Sequence, residues 1–257
     1  MFPVLFRIGN IPIDTYYVVW FAALSLALRW TIGRMALYGI DDGEGRRVIA
    51  WGFLGMLLGA SSVDYIWNFS DYWNNPSLIF DVNAGGLSEK GAILGAIAVT
   101  LVLCRRSGGV SFFALCEAAI IPAFSAIALG RMGCFLAGCC AGVESAFPLA
   151  LHFPYDAPSV TRHATQIYYS LSAAFILSAL IFIEKWFIRR GQGHPPPRPV
   201  LMPLGLIFYS IMRIAVDSLR ANSEELLSSN IALALMIPLE AAWFLTSWNA
   251  FRKKITA

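Results

Sequence analysis

The amino-acid sequence predicts an all-α membrane protein with seven transmembrane helices. Of its 257 residues, 58% are apolar and only 14% are charged, and the mean hydropathy is +0.64. Soluble domains of this size are less apolar and more highly charged. The apolar residues also form seven stretches, most of them close to the roughly 20 residues that cross a bilayer as a helix. We therefore expect a single polytopic membrane domain over residues 1–257.

The predicted helices follow one another along the chain. In order, they cover residues 16–31, 48–67, 91–104, 111–130, 167–186, 201–216 and 231–251. The third helix is short and follows a polar segment, residues 85–90, a combination that indicates an irregular segment beside a cavity. The connection 191–200 contains four prolines and two glycines, which is typical of a linker.

The distribution of lysine and arginine predicts the orientation. Twelve of the nineteen lie in one set of alternating connections, namely Arg34, Arg46, Arg47, Arg105, Arg106, Lys185, Arg189, Arg190, Arg198, Arg252, Lys253 and Lys254. An excess of these residues marks the cytoplasmic side. Seven helices then place the N-terminus outside and the C-terminus in the cytoplasm. The N-terminal residues contain no basic segment with a cleavage site, so we expect the first helix to be the insertion signal.

The longest outer connection, residues 131–166, is predicted to form a small extracytoplasmic head segment. It is too long for a simple turn, and residues 147–153 are a candidate strand. The segment contains Cys134, Cys139 and Cys140. Because they lack C-x-x-C spacing, and because vicinal thiols rarely bind one ion with good geometry, we predict no metal site. A nucleophilic thiol would need a base, for which His152 and His163 are the candidates.

Three arginines of the predicted outer half indicate an anion site. Arg131 directly follows a long apolar run, and Arg213 lies inside the sixth predicted helix. A guanidinium in a membrane is costly unless it is paired. Asp217, four residues after Arg213 and one turn before Arg220, allows an ion pair within the helix. The alternative is an anionic lipid head group, since guanidinium binds phosphate bidentately and positive charge is in excess.

Other polar side chains near the predicted outer interface are secondary candidates. They are Tyr16, Ser88, Lys90, Arg162, His163, Gln166 and Tyr168. Three roles are open for the Lys90 side chain, namely a base, a phosphate ligand or an interfacial anchor. The tyrosines have the alternative role of interfacial anchors. His163 has the alternative role of a packing residue. Nucleic acid is not an expected partner, because the net charge of +3 is small and scattered.

Several motifs, in order along the chain, resemble the signatures of one family. Residues 85–90, GGLSEK, are similar to G-G-[LM]-S-[FY]-H, and residues 130–135, GRMGCF, followed by Gly142, are similar to G-R-[LI]-G-N-F…G. Residues 162–168, RHATQIY, are similar to R-H-P-[ST]-Q-[LI]-Y. Residues 205–220 resemble the last signature, with Arg213, Asp217 and Arg220 on its charged positions. The family is that of the phosphatidylglycerol prolipoprotein diacylglyceryl transferases of bacterial cytoplasmic (inner) membranes.

The resemblance implies a multi-pass enzyme of the inner membrane that uses no cofactor. Its partners would be the lipid bilayer, phosphatidylglycerol and the lipobox peptide of a preprolipoprotein. The diacylglyceryl group would move to the lipobox cysteine thiol, forming a thioether and releasing glycerol phosphate. The implied catalytic residues are Arg131, Arg213 and Lys90. The implied substrate-binding residues are Tyr16, Ser88, Gly142, Arg162, His163, Gln166, Tyr168, Asp217 and Arg220.

The sequence also departs from the family pattern. Lys90 replaces a histidine, Cys134 an asparagine, Cys139 and Tyr169 acids, and Ser61 an arginine. These departures leave three hypotheses open. The chain is a working diacylglyceryl transferase, a divergent relative that binds phosphatidylglycerol but lipidates a different acceptor, or a non-catalytic lipid-binding membrane protein.

Overall fold

The structure, a computed structural model, describes residues 1–9, 11–77, 88–191 and 199–256 and is mainly helical. The chain forms two compact units. The first consists of Met1–Leu37 and Cys116–Ala257, and the second of Tyr38–Leu115. Each of the seven predicted stretches coincides with a long helix, because a long apolar sequence satisfies its backbone hydrogen bonds most simply as a helix.

The helices in chain order are α1 (Thr15–Met35), α2 (Asp42–Trp67), α3 (Phe69–Asn74), α4 (Glu89–Ser107), α5 (Phe112–Ala137), α6 (Thr165–Arg190), α7 (Leu201–Asp217) and α8 (Ser223–Thr256). Among the described residues, five helices are long and apolar enough to cross a membrane, namely α1, α2, α5, α6 and α8. The chain is therefore a multi-pass membrane protein. Because α4 and α7 fall outside that set, seven crossings and the orientation remain predictions.

The surface of these helices is apolar. Phe21, Leu58, Leu94, Phe175 and Leu235 are each more than 60% exposed. Soluble monomers rarely expose so much contiguous apolar surface. Lipid tails are the environment in which such side chains are stable.

The core of the first unit lies between α5, α6 and α7. Ile121 and Phe124 of α5, Leu180 of α6 and Met212 of α7 are buried there. Their packing fixes the relative positions of the ends of these helices. As described below, those ends contain most of the predicted site residues.

Two buried acidic residues connect helices of the first unit. Glu117 of α5 accepts hydrogen bonds from two backbone N–H groups in the first turn of α7, at 3.2 and 2.6 Å. It thereby satisfies donors that a helix start leaves unpaired. Glu184 of α6 binds Arg34 of α1 through two hydrogen bonds of 2.8 and 2.6 Å. Arg34 also donates from Nε to the carbonyl oxygen of Ala118, at 2.8 Å.

A β-hairpin that was not expected from the sequence precedes α1. Its antiparallel strands are β1 (Val4–Ile8) and β2 (Ile11–Asp14). Gly9 has a φ of +61°, a conformation that glycine adopts without strain. The backbone N–H of Phe2 donates to the carbonyl oxygen of Leu136, at 2.7 Å. This bond fixes the N-terminus to the last turn of α5.

The second unit is built on a close crossing of α2 and α4. Gly55 and Gly59 of α2 face Gly91 and Gly95 of α4. A Cβ atom at Gly59 would lie 2.3 Å from the carbonyl oxygen of Gly91, and one at Gly95 would lie 2.1 Å from that of Gly55. Each pair has the spacing that lets membrane helices pack with their backbones in contact.

The predicted strand over residues 147–153 is wrong. Between α5 and α6 the structure has turns and isolated bridges, one of which pairs Leu151 with Arg162. Pro148 lies inside the stretch and removes a backbone donor that a strand would use, and Pro154 directly follows it.

The irregular segment expected before the third helix and the linker fall largely outside the described residues. Residues 85–87 and 192–198 belong to those parts of the chain. Helix α4 itself is regular from Glu89 to Ser107.

Candidate functional site

Arg131 lies in the last two turns of α5 and packs on an aromatic ring of α6. Its guanidinium carbon is 4.1 Å from the centroid of the Tyr169 ring. A cation over an aromatic face is stabilised by about 0.5–2 kcal/mol. The Nε atom of Arg131 is buried and has no hydrogen-bond partner among the described residues. The ring therefore holds the guanidinium in place while leaving a donor for a ligand.

Asp217, at the end of α7, is the acidic centre of the site. It is fully buried, and the Tyr169 hydroxyl donates to its Oδ1 atom. Arg213 Nε donates to Oδ2 at 3.2 Å, which is the ion pair that the four-residue spacing predicts. Arg220 Nη1 lies 3.7 Å from Oδ1. Arg213 also donates from Nη1 to the Tyr209 hydroxyl, at 2.7 Å.

Arg131, Arg213 and Arg220, here called the arginine cluster, carry more positive charge than Asp217 neutralises. The three guanidinium groups and one carboxylate sum to +2. Like that of Arg131, the Nε atom of Arg220 is buried without a partner among the described residues. Two orphaned donors beside surplus positive charge favour an anion with several acceptor oxygens, such as a phosphate.

Gly142 fixes the connection between α5 and α6 against the end of α7. It forms an isolated bridge with Arg220, and its N–H donates to the carbonyl oxygen of His163, at 2.8 Å. A Cβ atom at this position would lie 2.6 Å from the carbonyl oxygen of Leu219 and 2.6 Å from the His163 Cβ. Only glycine permits this approach of the backbones.

Two residues at the start of α6 hold the backbone of the cysteine segment. Thr165 Oγ1 donates to the carbonyl oxygen of Cys140 at 2.7 Å, and Gln166 Nε2 donates to that of Cys139. The Oε1 atom of Gln166 is buried without a partner among the described residues. Gln166 therefore positions the segment and retains one free acceptor.

Arg162 stabilises the head segment. Its Nε lies 2.9 Å from both carboxylate oxygens of Asp156, and its Nη2 lies 3.4 Å from Glu144. His163 Nδ1 is 3.1 Å from the Tyr168 hydroxyl, at the adjoining end of α6. The guanidinium of Arg162 is thus engaged by acids and is separate from the arginine cluster's contacts.

Helix α1 closes one side of the cysteine segment. A Cβ atom at Gly130 would lie 2.7 Å from the Trp20 ring, and one at Gly133 would lie 2.9 Å from Val19. These glycines allow α1 to approach α5. Tyr16, in the first turn of α1, is consequently close enough to interact electrostatically with Arg131 and the cysteines.

Cys134, Cys139 and Cys140, here called the cysteine cluster, converge at the end of α5. All three Sγ atoms lie within 4.8 Å of one another. Gly138, with a φ of +78°, turns the chain back after the helix, and Cys140 has the strained φ of +63°. Strained non-glycine residues of this kind concentrate at functional sites.

The thiols of this cluster interact with one another and with the arginine cluster. Hydrogen bonding with Cys134 and Cys139 lowers the pKa of the Cys140 thiol, and the charges of Arg220 and Arg131 lower it further. The hydrogen bonds of Cys139 with Cys134 and Cys140 raise the pKa of the Cys139 thiol. The two clusters therefore form one electrostatic environment.

Ser88 and Lys90 lie in the second unit. Ser88 precedes α4, and its Oγ accepts a hydrogen bond from the backbone N–H of Gly91, at 3.2 Å. This is an N-cap, which is a structural role. Lys90 is exposed in the first turn of α4, with Nζ 5.9 Å from the centroid of the Trp67 ring.

The structure thus brings together most, but not all, of the predicted residues. Arg131, Gly142, Gln166, Asp217, Arg213 and Arg220 surround one region of the first unit, with His163, Tyr168 and Tyr16 at its margin. Tyr169 was not among the predicted site residues, although it lies between Arg131 and Asp217. Its position directly after the RHATQIY motif, where the family pattern has an acid, was the signal that could have found it.

The helices define a multi-pass membrane protein, and the arginine cluster is its candidate anion site. Residues 3–248 match the family described as prolipoprotein diacylglyceryl transferase. The chain belongs to this family, whose named members are transferase enzymes, and the resemblance stated above is confirmed.

Three relatives carry the name phosphatidylglycerol–prolipoprotein diacylglyceryl transferase. The protein of Methylococcus capsulatus is 27% identical over 230 residues, covering 87% of this chain and 84% of that protein. The protein of Idiomarina loihiensis is 30% identical over 223 residues, covering 85% of this chain and 80% of that protein. The protein of Aeromonas hydrophila is 26% identical over 262 aligned positions, covering 98% of this chain and 91% of that protein.

Proposed function

We propose that this chain transfers the diacylglyceryl group of phosphatidylglycerol to the lipobox cysteine of a preprolipoprotein. The sulfur of the acceptor forms a thioether with the glyceryl carbon, and glycerol phosphate leaves. The observation that carries this proposal is the arginine cluster, with surplus positive charge and two buried, unpartnered Nε donors. The names of the relatives supply the substrate pair.

The arginine cluster stabilises the phosphate as it becomes a leaving group. Arg131 and Arg220 offer the orphaned donors, whereas Asp217 and Tyr209 fix the orientation of Arg213. Donors fixed in advance need no reorganisation when negative charge develops, and each such donor is worth about 10²–10³ in rate. Low dielectric surroundings strengthen the effect.

The site belongs on the outer face of the bacterial cytoplasmic membrane. The charge distribution between alternating connections supports this orientation, with seven crossings and the head segment of residues 131–166 outside. The connection between α5 and α6 pairs with the residues after α7 through the bridge between Gly142 and Arg220, and this supports a lipid head group and an acceptor peptide meeting on that side. The exposed apolar faces of the helices are suited to the acyl chains.

Turnover by the purified full-length chain tests the proposal. The chain is reconstituted in phosphatidylglycerol vesicles with a lipobox peptide. The rate of glycerol phosphate release is then measured, and the mass of the peptide is determined by mass spectrometry. We expect a peptide that has gained one diacylglyceryl group. Arg131→Ala should reduce the rate by about 10²–10³.

Arg46→Ala is the matched control, because Arg46 is an exposed arginine that pairs with Asp42 on the surface of α2. It should react at the rate of the unaltered chain. Lipid binding without any turnover would contradict the proposal in favour of a lipid-binding protein. Turnover that needs an acceptor other than a cysteine peptide would contradict the proposal that a lipobox cysteine is the acceptor.

A further inference from the structure

The cysteine cluster has the dimensions of a metal site. Cys139 Sγ and Cys140 Sγ are 3.7 Å apart, and all three Sγ atoms lie within 4.8 Å of one another. In a tetrahedral zinc site with Zn–S bonds of about 2.3 Å, two ligand sulfurs are separated by about 3.8 Å. The vicinal pair therefore already spans one edge of such a tetrahedron, despite the unfavourable spacing in the sequence.

The backbone that presents these thiols is fixed from several sides. Cys134 is on the last turns of α5 and is buried, whereas Cys139 and Cys140 are half-buried. Thr165 and Gln166 hold the two carbonyl groups of the half-buried pair. A set of ligands that is fixed before binding loses little entropy when an ion enters.

The cluster supplies three ligands rather than four. Within the described part of the chain, no histidine or acidic residue joins the three cysteines as a further ligand. Structural zinc sites are almost always closed by four protein ligands, whereas catalytic sites have three and leave one position for water or substrate. Because Cys139 and Cys140 are half-buried and Cys134 is buried, we assign the open position to the side of the half-buried pair.

The surrounding charge suits an anionic metal–thiolate centre. Three thiolates and one divalent ion sum to −1. Arg220 and Arg131 interact electrostatically with Cys140 and offset this charge. The same arginines are those proposed to bind the phosphate, so the open position and the leaving group lie in one region of the first unit.

We propose that the cysteine cluster binds one zinc ion, and that the acceptor cysteine occupies its fourth position as a thiolate. This inference rests on the proposed transferase function, because it assigns the device that activates the acceptor thiol.

The reaction balances without any oxidant. The acceptor thiol loses its proton to water on binding zinc, because a coordinated thiol is deprotonated. The sulfur electron pair attacks the glyceryl carbon that bears the phosphate oxygen. A carbon–sulfur bond forms, the carbon–oxygen bond breaks, and its electron pair leaves with glycerol phosphate. The neutral thioether is a weaker ligand than a thiolate and dissociates.

Metal binding is tested independently of activity. The purified, reduced full-length chain is freed of metal with a chelator and titrated with Co²⁺, which gives an absorption band when thiolates coordinate it. We expect one Co²⁺ per chain, displaced by one Zn²⁺. Cys139→Ser and Cys134→Ser should each weaken binding by at least about 100-fold, since even second-shell changes cost up to that much. Cys104→Ser, which alters a cysteine of the second unit, should bind like the unaltered chain.

The integrity of the variants is checked by phosphatidylglycerol binding, which depends on the arginine cluster. No thiolate band in the reduced unaltered chain would overturn the proposal. So would an equal band in a Cys139→Ser variant that still binds lipid. A disulfide within the cluster that persists after reduction and excludes metal would overturn it as well.

The acceptor's position is tested with a lipobox peptide and its Cys→Ser counterpart. The cysteine peptide should change the spectrum of the bound Co²⁺, and the serine peptide should not. A loaded chain that shows no response to either peptide would overturn the activating role. Undiminished transfer after removal of zinc would overturn that role as well, while leaving the transferase function intact. Conversely, zinc binding with no transfer under any condition would contradict the transferase function itself.

Discussion

At the scale of single residues, Tyr169 connects the two charged parts of the site. Its ring lies under the Arg131 guanidinium at 4.1 Å, and its hydroxyl donates to Asp217. Asp217 in turn orients Arg213. One side chain therefore makes both contacts, because its ring faces the guanidinium and its hydroxyl reaches the carboxylate.

Changes at Tyr169 should separate these roles. Tyr169→Phe keeps the ring but removes the hydrogen bond to a buried carboxylate, which should lower the free energy of unfolding by about 1–3 kcal/mol. Tyr169→Leu also removes the cation–π contact, worth about 0.5–2 kcal/mol, and should reduce glycerol phosphate release further than Tyr169→Phe. Tyr155→Phe, at an exposed tyrosine, is the control and should leave both quantities unchanged. Equal transfer rates for Tyr169→Phe and Tyr169→Leu would show that the ring does not position Arg131.

At the scale of helices, the second unit depends on backbone contact between α2 and α4. Apolar side chains in a membrane gain little by associating, since lipid tails are equally apolar. The four glycines Gly55, Gly59, Gly91 and Gly95 therefore let the helices approach closely enough for dispersion forces and weak polar contacts to hold them.

Gly95→Ala should disrupt this crossing. The new Cβ atom would lie 2.1 Å from the carbonyl oxygen of Gly55 and 2.9 Å from the Gly59 Cα, so the helices must separate. Overpacking of this kind costs about 1–3 kcal/mol, to be measured as a change in the free energy of unfolding in mixed detergent. Gly33→Ala in α1 is the control, because a Cβ there meets no atom within 4 Å. It should be neutral or slightly stabilising, since alanine favours helix. Equal effects of the two substitutions would argue against the crossing.

At the scale of the whole molecule, the sequence predicts the helices better than the site. Long apolar stretches are a local signal, and the Arg213–Asp217 pair follows from a four-residue spacing on one helix. The hairpin before α1 is too short to show in a hydropathy pattern. The convergence of the cysteine cluster depends on the turn at Gly138 and the strained Cys140, and neither backbone conformation can be inferred from composition.

The position of Tyr169 in the site could not be predicted from the sequence either. Its role depends on α5, α6 and α7 meeting at the correct height, which is a property of their packing. The strand predicted over residues 147–153 failed for a related reason. Apolar residues there suggested a strand, but Pro148 interrupts the stretch and lies in a turn, and Leu151 forms only an isolated bridge with Arg162.

The buried pair Arg34–Glu184 provides a test of how the first unit is held together. It connects α1 to α6, and its side chains are 10% and 11% exposed. Glu184→Ala leaves a buried guanidinium without its carboxylate and should lower the free energy of unfolding by about 3–5 kcal/mol. A double-mutant cycle with Arg34→Met should show strong coupling, with the double variant more stable than the sum of the single effects predicts.

The exposed pair Arg46–Asp42 is the matched control for that cycle, because it is also an arginine–carboxylate contact, at 2.8 Å, but its side chains are 58% and 66% exposed. Water screens such a pair, so its coupling should be no more than about 1 kcal/mol. The two cycles therefore compare the same chemistry inside and outside the protein. Coupling energies of equal size would mean that water screens the Arg34–Glu184 pair as strongly as it screens the surface pair. The packing of α5, α6 and α7, and not this ion pair, would then hold the first unit together.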